Sequence, residues 1–202
     1  MRVFRSFRQV ALVVAVLNFA YFWVEIAAAQ QAGAVSLNAD AIDFLEDAAL
    51  NFLIVAAVGW PPQTRVRVGQ FLAFLLFIPG LLALLTVISK LITPVPPEPL
   101  TLSAVGLGAL AVNLSCALIL VRFRTHTGGL IKAAFLSARN DAIANVAIIT
   151  AGFLTAAVLS IWPDLIVGVG ILALNADAAR QVWRAAHQTD LSASALPLDP
   201  QA

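Results

Sequence analysis

Six apolar stretches, each about as long as the ~20 residues a helix needs to cross a bilayer, leave this chain few ways to fold. They run over about 7–28, 36–59, 68–91, 100–121, 130–159 and 163–179. The breaks between them are built from helix-stopping residues. Pro61-Pro62 ends the second stretch, and Pro79-Gly80 predicts a kink inside the third. Thr93-Pro94-Val95-Pro96-Pro97-Glu98-Pro99 holds too much proline to be helical and reads as a stiff external loop. Arg122 to Gly129 forms a short basic loop. Trp162-Pro163-Asp164 opens the last stretch, with Asp164 expected to cap that helix.

Composition points the same way. Of 202 residues, 61% are hydrophobic and only 11% charged, too little polar surface for a water-soluble domain of this size. The expected fold is therefore all-α: an integral membrane bundle of six transmembrane helices over 1–180, packed in the lipid bilayer. A short cytoplasmic tail over 181–202, rich in Ser, Ala and Pro, is expected to be partly disordered. A net charge of +1 gives no case for nucleic acid. The lone Cys116 excludes an internal disulfide or a cysteine-based zinc site.

Charge sets the orientation. With alternating spans, Arg2, Arg5, Arg8, Arg65, Arg67, Arg122, Arg124, Lys132, Arg180 and Arg184 fall on one side, and only Lys90 lies at the opposite edge. The positive-inside rule then puts both termini in the cytoplasm, which for a bacterial cell means a multi-pass protein of the inner membrane. A cleaved signal peptide is the other reading of the basic start and the small residues at 27–29. The first apolar run is long for a signal, and it carries Asn18 and Glu25.

Within the second span, Ser36-Leu37-Asn38-Ala39-Asp40-Ala41-Ile42-Asp43-Phe44-Leu45-Glu46-Asp47 places carboxylates at membrane depth. At about 100° per residue, Asp40, Asp43, Asp47 and Asn51 share a stripe and Glu46 points off it. Ionisable groups at that depth are costly, so they face a bundle interior or a wet cavity. In the fifth span, Ser137, Asp141 and Asn145 recur at four-residue spacing, with Asn140 beside them. If the two spans pack together, Asp43, Asp47 and Asp141 converge, and Ser137 or Asn140 supplies a further oxygen. Carboxylate oxygens are hard donors, suited to a divalent ion such as Mn²⁺, Fe²⁺, Co²⁺, Zn²⁺ or Cd²⁺, although the set lacks soft or imidazole ligands. Burial and mutual repulsion disfavour the charged forms of such carboxylates, so protons and metal compete for them. That competition is the physical basis of metal/proton antiport.

The other polar residues in the spans carry weaker readings. Arg139 either pairs with Glu46 as an ion pair between helices or snorkels toward the cytoplasmic headgroups, and snorkelling is the preferred reading. Asn18 lines the cavity or bonds a neighbouring helix. Glu25, near the outer end of its span, is expected at the membrane interface. Asn113-Leu114-Ser115 is a chance match to a glycosylation triplet, since it lies inside a span. His126 is read as a solvated loop residue, and Asp177 as interfacial.

These residues resemble the cation diffusion facilitator, or cation efflux, family. In its second helix a small-Asp-Ala step is followed by His or Asp, three residues, then Asp. Here Ala39-Asp40-Ala41 leads to Asp43 and Asp47. Leu17-Asn18-Phe19 with Val24-Glu25 is similar to the family's first helix, and Trp162 to Gly168 to its sixth. The H/D-x-x-x-D pattern of its fifth helix maps onto Ser137 and Asp141. The resemblance implies export of divalent metal in exchange for protons, no permanently bound cofactor, and a homodimer. It also implies two departures: Ser137 stands where a histidine ligand is expected, and the cytoplasmic domain usual after the sixth helix is missing.

Two other classes compete. A non-transporting or decayed membrane scaffold of the same fold would keep the helices without the ion. A membrane-embedded enzyme of the CDP-alcohol phosphatidyltransferase kind needs an Asp-Gly pair, whereas Asp40 is followed by Ala41 and Asp43 by Phe44.

Overall fold

A computed structural model of the chain describes residues 2–57, 64, 80–121 and 129–175. Six helices form there: α1 (Arg2–Ala32), α2 (Val35–Ala57), α3 (Gly80–Ile92), α4 (Pro99–Val121), α5 (Gly129–Val158) and α6 (Trp162–Asn175). The Pro61-Pro62 break, Pro79, the loop at 122–128 with His126, and everything beyond Asn175, including Asp177, lie outside the described residues.

Three segments are long and apolar enough to cross a membrane by themselves: Arg8–Ala32, Pro99–Val121 and Ser137–Val158. Gly80–Ile92 and Trp162–Asn175 are shorter apolar helices. The 23-residue α2 is long enough to cross, at about 35 Å by the helical rise, but carries four carboxylates. The protein is thus an all-helical, multi-pass integral membrane protein. Its large exposed side chains, such as Trp23, Leu107, Ile143 and Ile166, are the lipid-facing surface.

The first helix runs four residues past its expected end and stops at Gly33, whose φ of 61° is the left-handed conformation that glycine adopts without strain. The Ala34 amide donates to Ala29 O at 3.0 Å, the six-residue reach of a Schellman turn, so α2 begins almost at once. That tight reversal lays α1 antiparallel along α2. In the same way α4 lies along α5; α2 meets α5 over a shorter length, and α1 touches α4. Small residues permit the contacts: Ala39, Ala29 and Ala151 share one buried cluster with Leu37, Leu102 and Ile148.

The proline-rich segment is non-helical over 93–98, as expected, and it is tied down. Lys90, buried, donates its ammonium to Val95 O, and Glu98 accepts from the amides of Leu100 at 3.1 Å and Thr101 at 2.5 Å. Glu98 is thus the N-cap of α4, with Pro99 in the first helical position. Hydrogen bonds from Thr101, side chain and amide, and from Leu100 hold its carboxyl below the ordinary glutamate range.

The expectation for Asp164 is corrected. It lies two residues inside α6 and does not cap its own helix; Ser160 Oγ is the acceptor near that start, at 3.4 Å from Trp162 N. Asp164 instead caps α2 from across the bundle. Its carboxylate accepts from Val35 N at 2.7 Å, Ser36 N at 2.9 Å and Ser36 Oγ at 2.6 Å. The amides opening a helix have no partner in their own chain segment and carry the positive end of its dipole, so a buried carboxylate fits there. A Cβ on Gly168, one turn on, would fall 2.6 Å from Val35 Cγ1, which explains a glycine at that approach.

Candidate functional site

A stripe of buried polar residues runs through the middle of this apolar bundle. Asn18 and Glu25 come from α1, Asp40, Asp47 and Asn51 from α2, Asn113 from α4 and Asn145 from α5. Each helix turns its polar face inward because an unpartnered polar group in lipid costs several kcal/mol, ~2.5–3.5 for a charge by the milder scales. The stripe resolves into two layers.

The first layer joins α2 to α5. Ser137 Oγ donates to Asp47 Oδ1 at 3.0 Å and lies 3.5 Å from Asp141 Oδ2. The two aspartates expected to share an ion therefore stand on either side of one hydroxyl, facing each other across the helix contact. Asp43, partly exposed, lies one turn before Asp47 on the same helix. The expected three-carboxylate cluster is not gathered: among the described residues no three Asp, Glu, His or Cys side chains group closely enough to hold one metal ion. Like charges repel, and the Ser137 hydroxyl comes between two of the three.

The second layer lies toward the α1–α2 turn. Asp40 is seven residues before Asp47, about 10 Å along the helix, and Asn145 is one turn after Asp141. Asn145 Nδ2 donates to Asp40 Oδ2 at 2.5 Å, and Asn113 Nδ2 donates to Asn145 Oδ1 at 2.9 Å, so α2, α4 and α5 are joined by one directed chain. Glu25 completes this layer from α1. It is fully buried, which corrects its expected place at the interface. The 31-residue α1 runs on to Ala32, so Glu25 sits nearly two turns inside the end of the helix rather than at its rim.

The remaining predicted residues are placed as follows. Asn18 is buried and donates to Val14 O at 2.9 Å and toward Cys116 Sγ at 3.7 Å, so it bonds both its own helix and α4. Asn51 turns back on α2, donating to Asp47 O at 2.8 Å, and does not reach the Asp47 carboxylate. Asn140 is exposed and accepts from the Arg139 guanidinium at 3.2 Å, away from Ser137 and Asp141. Arg139 is likewise exposed, and the alternative of a buried pair with Glu46 is not formed.

Two residues of the interior were missed from sequence. Asn113 was visible only as part of a chance glycosylation triplet, although an asparagine amid an apolar span is itself a signal of helix-to-helix bonding. Tyr21 donates its hydroxyl to Val105 O at 2.6 Å and packs on Phe44 with ring centroids 5.0 Å apart, closing the second layer on the α4 side.

Comparison with known proteins bears on the whole of this region. A family model described as the cation efflux transmembrane domain matches residues 11–188, which takes in both polar layers. No curated protein matches the chain.

Proposed function

This chain belongs to the cation efflux family, whose members are metal cation transporters and not enzymes, and from that premise we propose that it exports a divalent metal ion in exchange for protons. The observation that carries this reading is the bridge Asp47–Ser137–Asp141, two carboxylates from separate helices held on one hydroxyl inside a membrane bundle. The transported ion binds between α2 and α5, with Asp43, Asp47, Asp141 and the Ser137 oxygen as its ligands. A slide of α2 along α5 by about one helical turn, ~6 Å, brings Asp43 to the depth of that bridge. An all-oxygen donor set takes hard and borderline divalent ions, Mn²⁺, Fe²⁺, Co²⁺, Zn²⁺ or Cd²⁺. Ion and protons compete for the same carboxylates, so an inward proton gradient drives the ion outward as the site alternates between the two sides. Both termini are cytoplasmic in this reading, and the working unit is a homodimer.

The test is metal tolerance and vesicle flux for the parent, Asp47→Ala and Asp141→Ala. Both variants should reach normal protein levels and lose tolerance and flux. A non-transporting scaffold predicts no difference among the three, and flux indifferent to a pH gradient removes the antiport.

A further inference from the structure

Glu25 is a fully buried acidic side chain with no use in the metal site, and its surroundings are unusual. Neither of its carboxyl oxygens receives a hydrogen bond, and neither does Asp40 Oδ1, although all three are fully buried. The Gly33 turn sets α1 and α2 antiparallel, with Glu25 eight residues before it and Asp40 seven after it, so the two carboxyl groups are neighbours at one depth of the bundle. Around them stand Tyr21 from α1 and Asp43 from α2, with Asp141 beyond Asn145 on α5. The Tyr21 hydroxyl is already committed to Val105 O, and α4 has no charged residue along its length. No cation among the described residues faces the pair.

Two ionised carboxylates in such a place would leave two uncompensated charges, far costlier than one. A single proton between them resolves this, because the protonated group donates to the other and partners both orphaned faces. The amide chain decides where on the pair it sits. Asn113 donates to Asn145 Oδ1, which turns Asn145 Nδ2 toward Asp40 Oδ2, so that oxygen is kept as acceptor and the shared proton lies between Asp40 Oδ1 and Glu25. A metal ion suits the spot poorly. It would have two carboxylates at most, and the Asn145 N–H points at one of them.

We propose that Glu25 and Asp40 form a one-proton carboxyl pair, separate from the metal site, that supplies a proton exchanged for the ion. This rests on the antiport reading above. The pair shares α2 with Asp43 and Asp47, and its Asn145 shares α5 with Asp141. A dication seated one to two helical turns from Asp40 along α2, and any shift of α2 against α5 that seats it, both favour the charged form of the pair. The O–H bond of the pair then breaks, the proton leaves to water, and no electrons are exchanged.

The experiment uses the purified full chain, with Mn²⁺ as probe. Proton release on Mn²⁺ binding is read with a pH indicator in weak buffer, and Mn²⁺ flux under an imposed pH gradient is read in proteoliposomes, for the parent, E25Q and D47N. Glutamine reproduces the neutral, donating form of Glu25, so E25Q should bind Mn²⁺ like the parent. It should release about one proton fewer per ion and respond less to the gradient. D47N should lose binding itself. Unchanged proton release and unchanged gradient response in E25Q overturn the pair while leaving the antiport intact. Lost Mn²⁺ binding in folded E25Q overturns it too, since Glu25 would then belong to the metal site. A parent whose flux ignores the gradient removes both readings. If E25Q fails to fold, infrared spectra of the parent decide: a protonated-carboxyl band that fades on adding Mn²⁺ is expected, and its absence sinks the proposal.

Discussion

Ser137 holds Asp47 and Asp141 on one hydroxyl, 3.0 and 3.5 Å away, where the resemblance to the family leads one to expect an imidazole. The difference is chemical more than geometric. A hydroxyl is a neutral, hard and weak donor, whereas imidazole nitrogen suits zinc and its neighbours. Ser137→His should therefore raise Zn²⁺ affinity by about tenfold or more, roughly 1.4 kcal/mol, while Mn²⁺ affinity changes little. Calorimetric titration of both ions into parent and variant checks this, and an equal gain for both would show that Ser137 does not touch the ion. At this scale the four-residue spacings of Asp43 with Asp47 and Ser137 with Asp141 were legible, because helical periodicity alone puts each pair on one face. Asn140 was not, since a position beside a polar stripe can turn either into the bundle or out of it. Its side chain went outward with Arg139.

Between elements, the Asp164 carboxylate joins the start of α2 to α6 through three hydrogen bonds. Val35, Ile161 and Leu165 pack around it and keep water out. Asp164→Ala leaves two helix-opening amides and a buried hydroxyl without acceptors, at a cost of about 3 kcal/mol or more. Asp164→Asn keeps one acceptor oxygen and should lose less. Thermal unfolding in detergent micelles should rank parent, Asn and Ala in that order. An alanine variant as stable as the parent would mean the contact contributes nothing. Sequence could place Asp164 at a helix start, where a cap is the local expectation. It could not reveal that a different helix, some 130 residues earlier in the chain, presents its own amides to the same carboxylate.

For the molecule as a whole, topology is the property most open to a direct test. The loop at 93–98 is tied by Lys90 and Glu98, and Val95 on it is exposed. Since the parent's single cysteine, Cys116, is buried, Val95→Cys should be labelled by a membrane-impermeant thiol reagent added outside intact cells, while the parent stays unlabelled. Labelling only after the membrane is opened would reverse the orientation read from the arginines. The all-helical fold, the proline-rich break at 93–98 and the two carboxylate-bearing helices were legible in the sequence alone, because hydropathy, proline and helical period are local properties that lipid enforces segment by segment. Which polar faces meet was decided only in the tertiary structure. Glu25 could be an interfacial residue or a buried one until the Gly33 turn folded α1 back against α2. Asn113 and Asn145 became a chain to Asp40 only when α4, α5 and α2 packed at one depth. Rotation, tilt and depth of each helix depend on all its neighbours together, and a single helix carries no record of them.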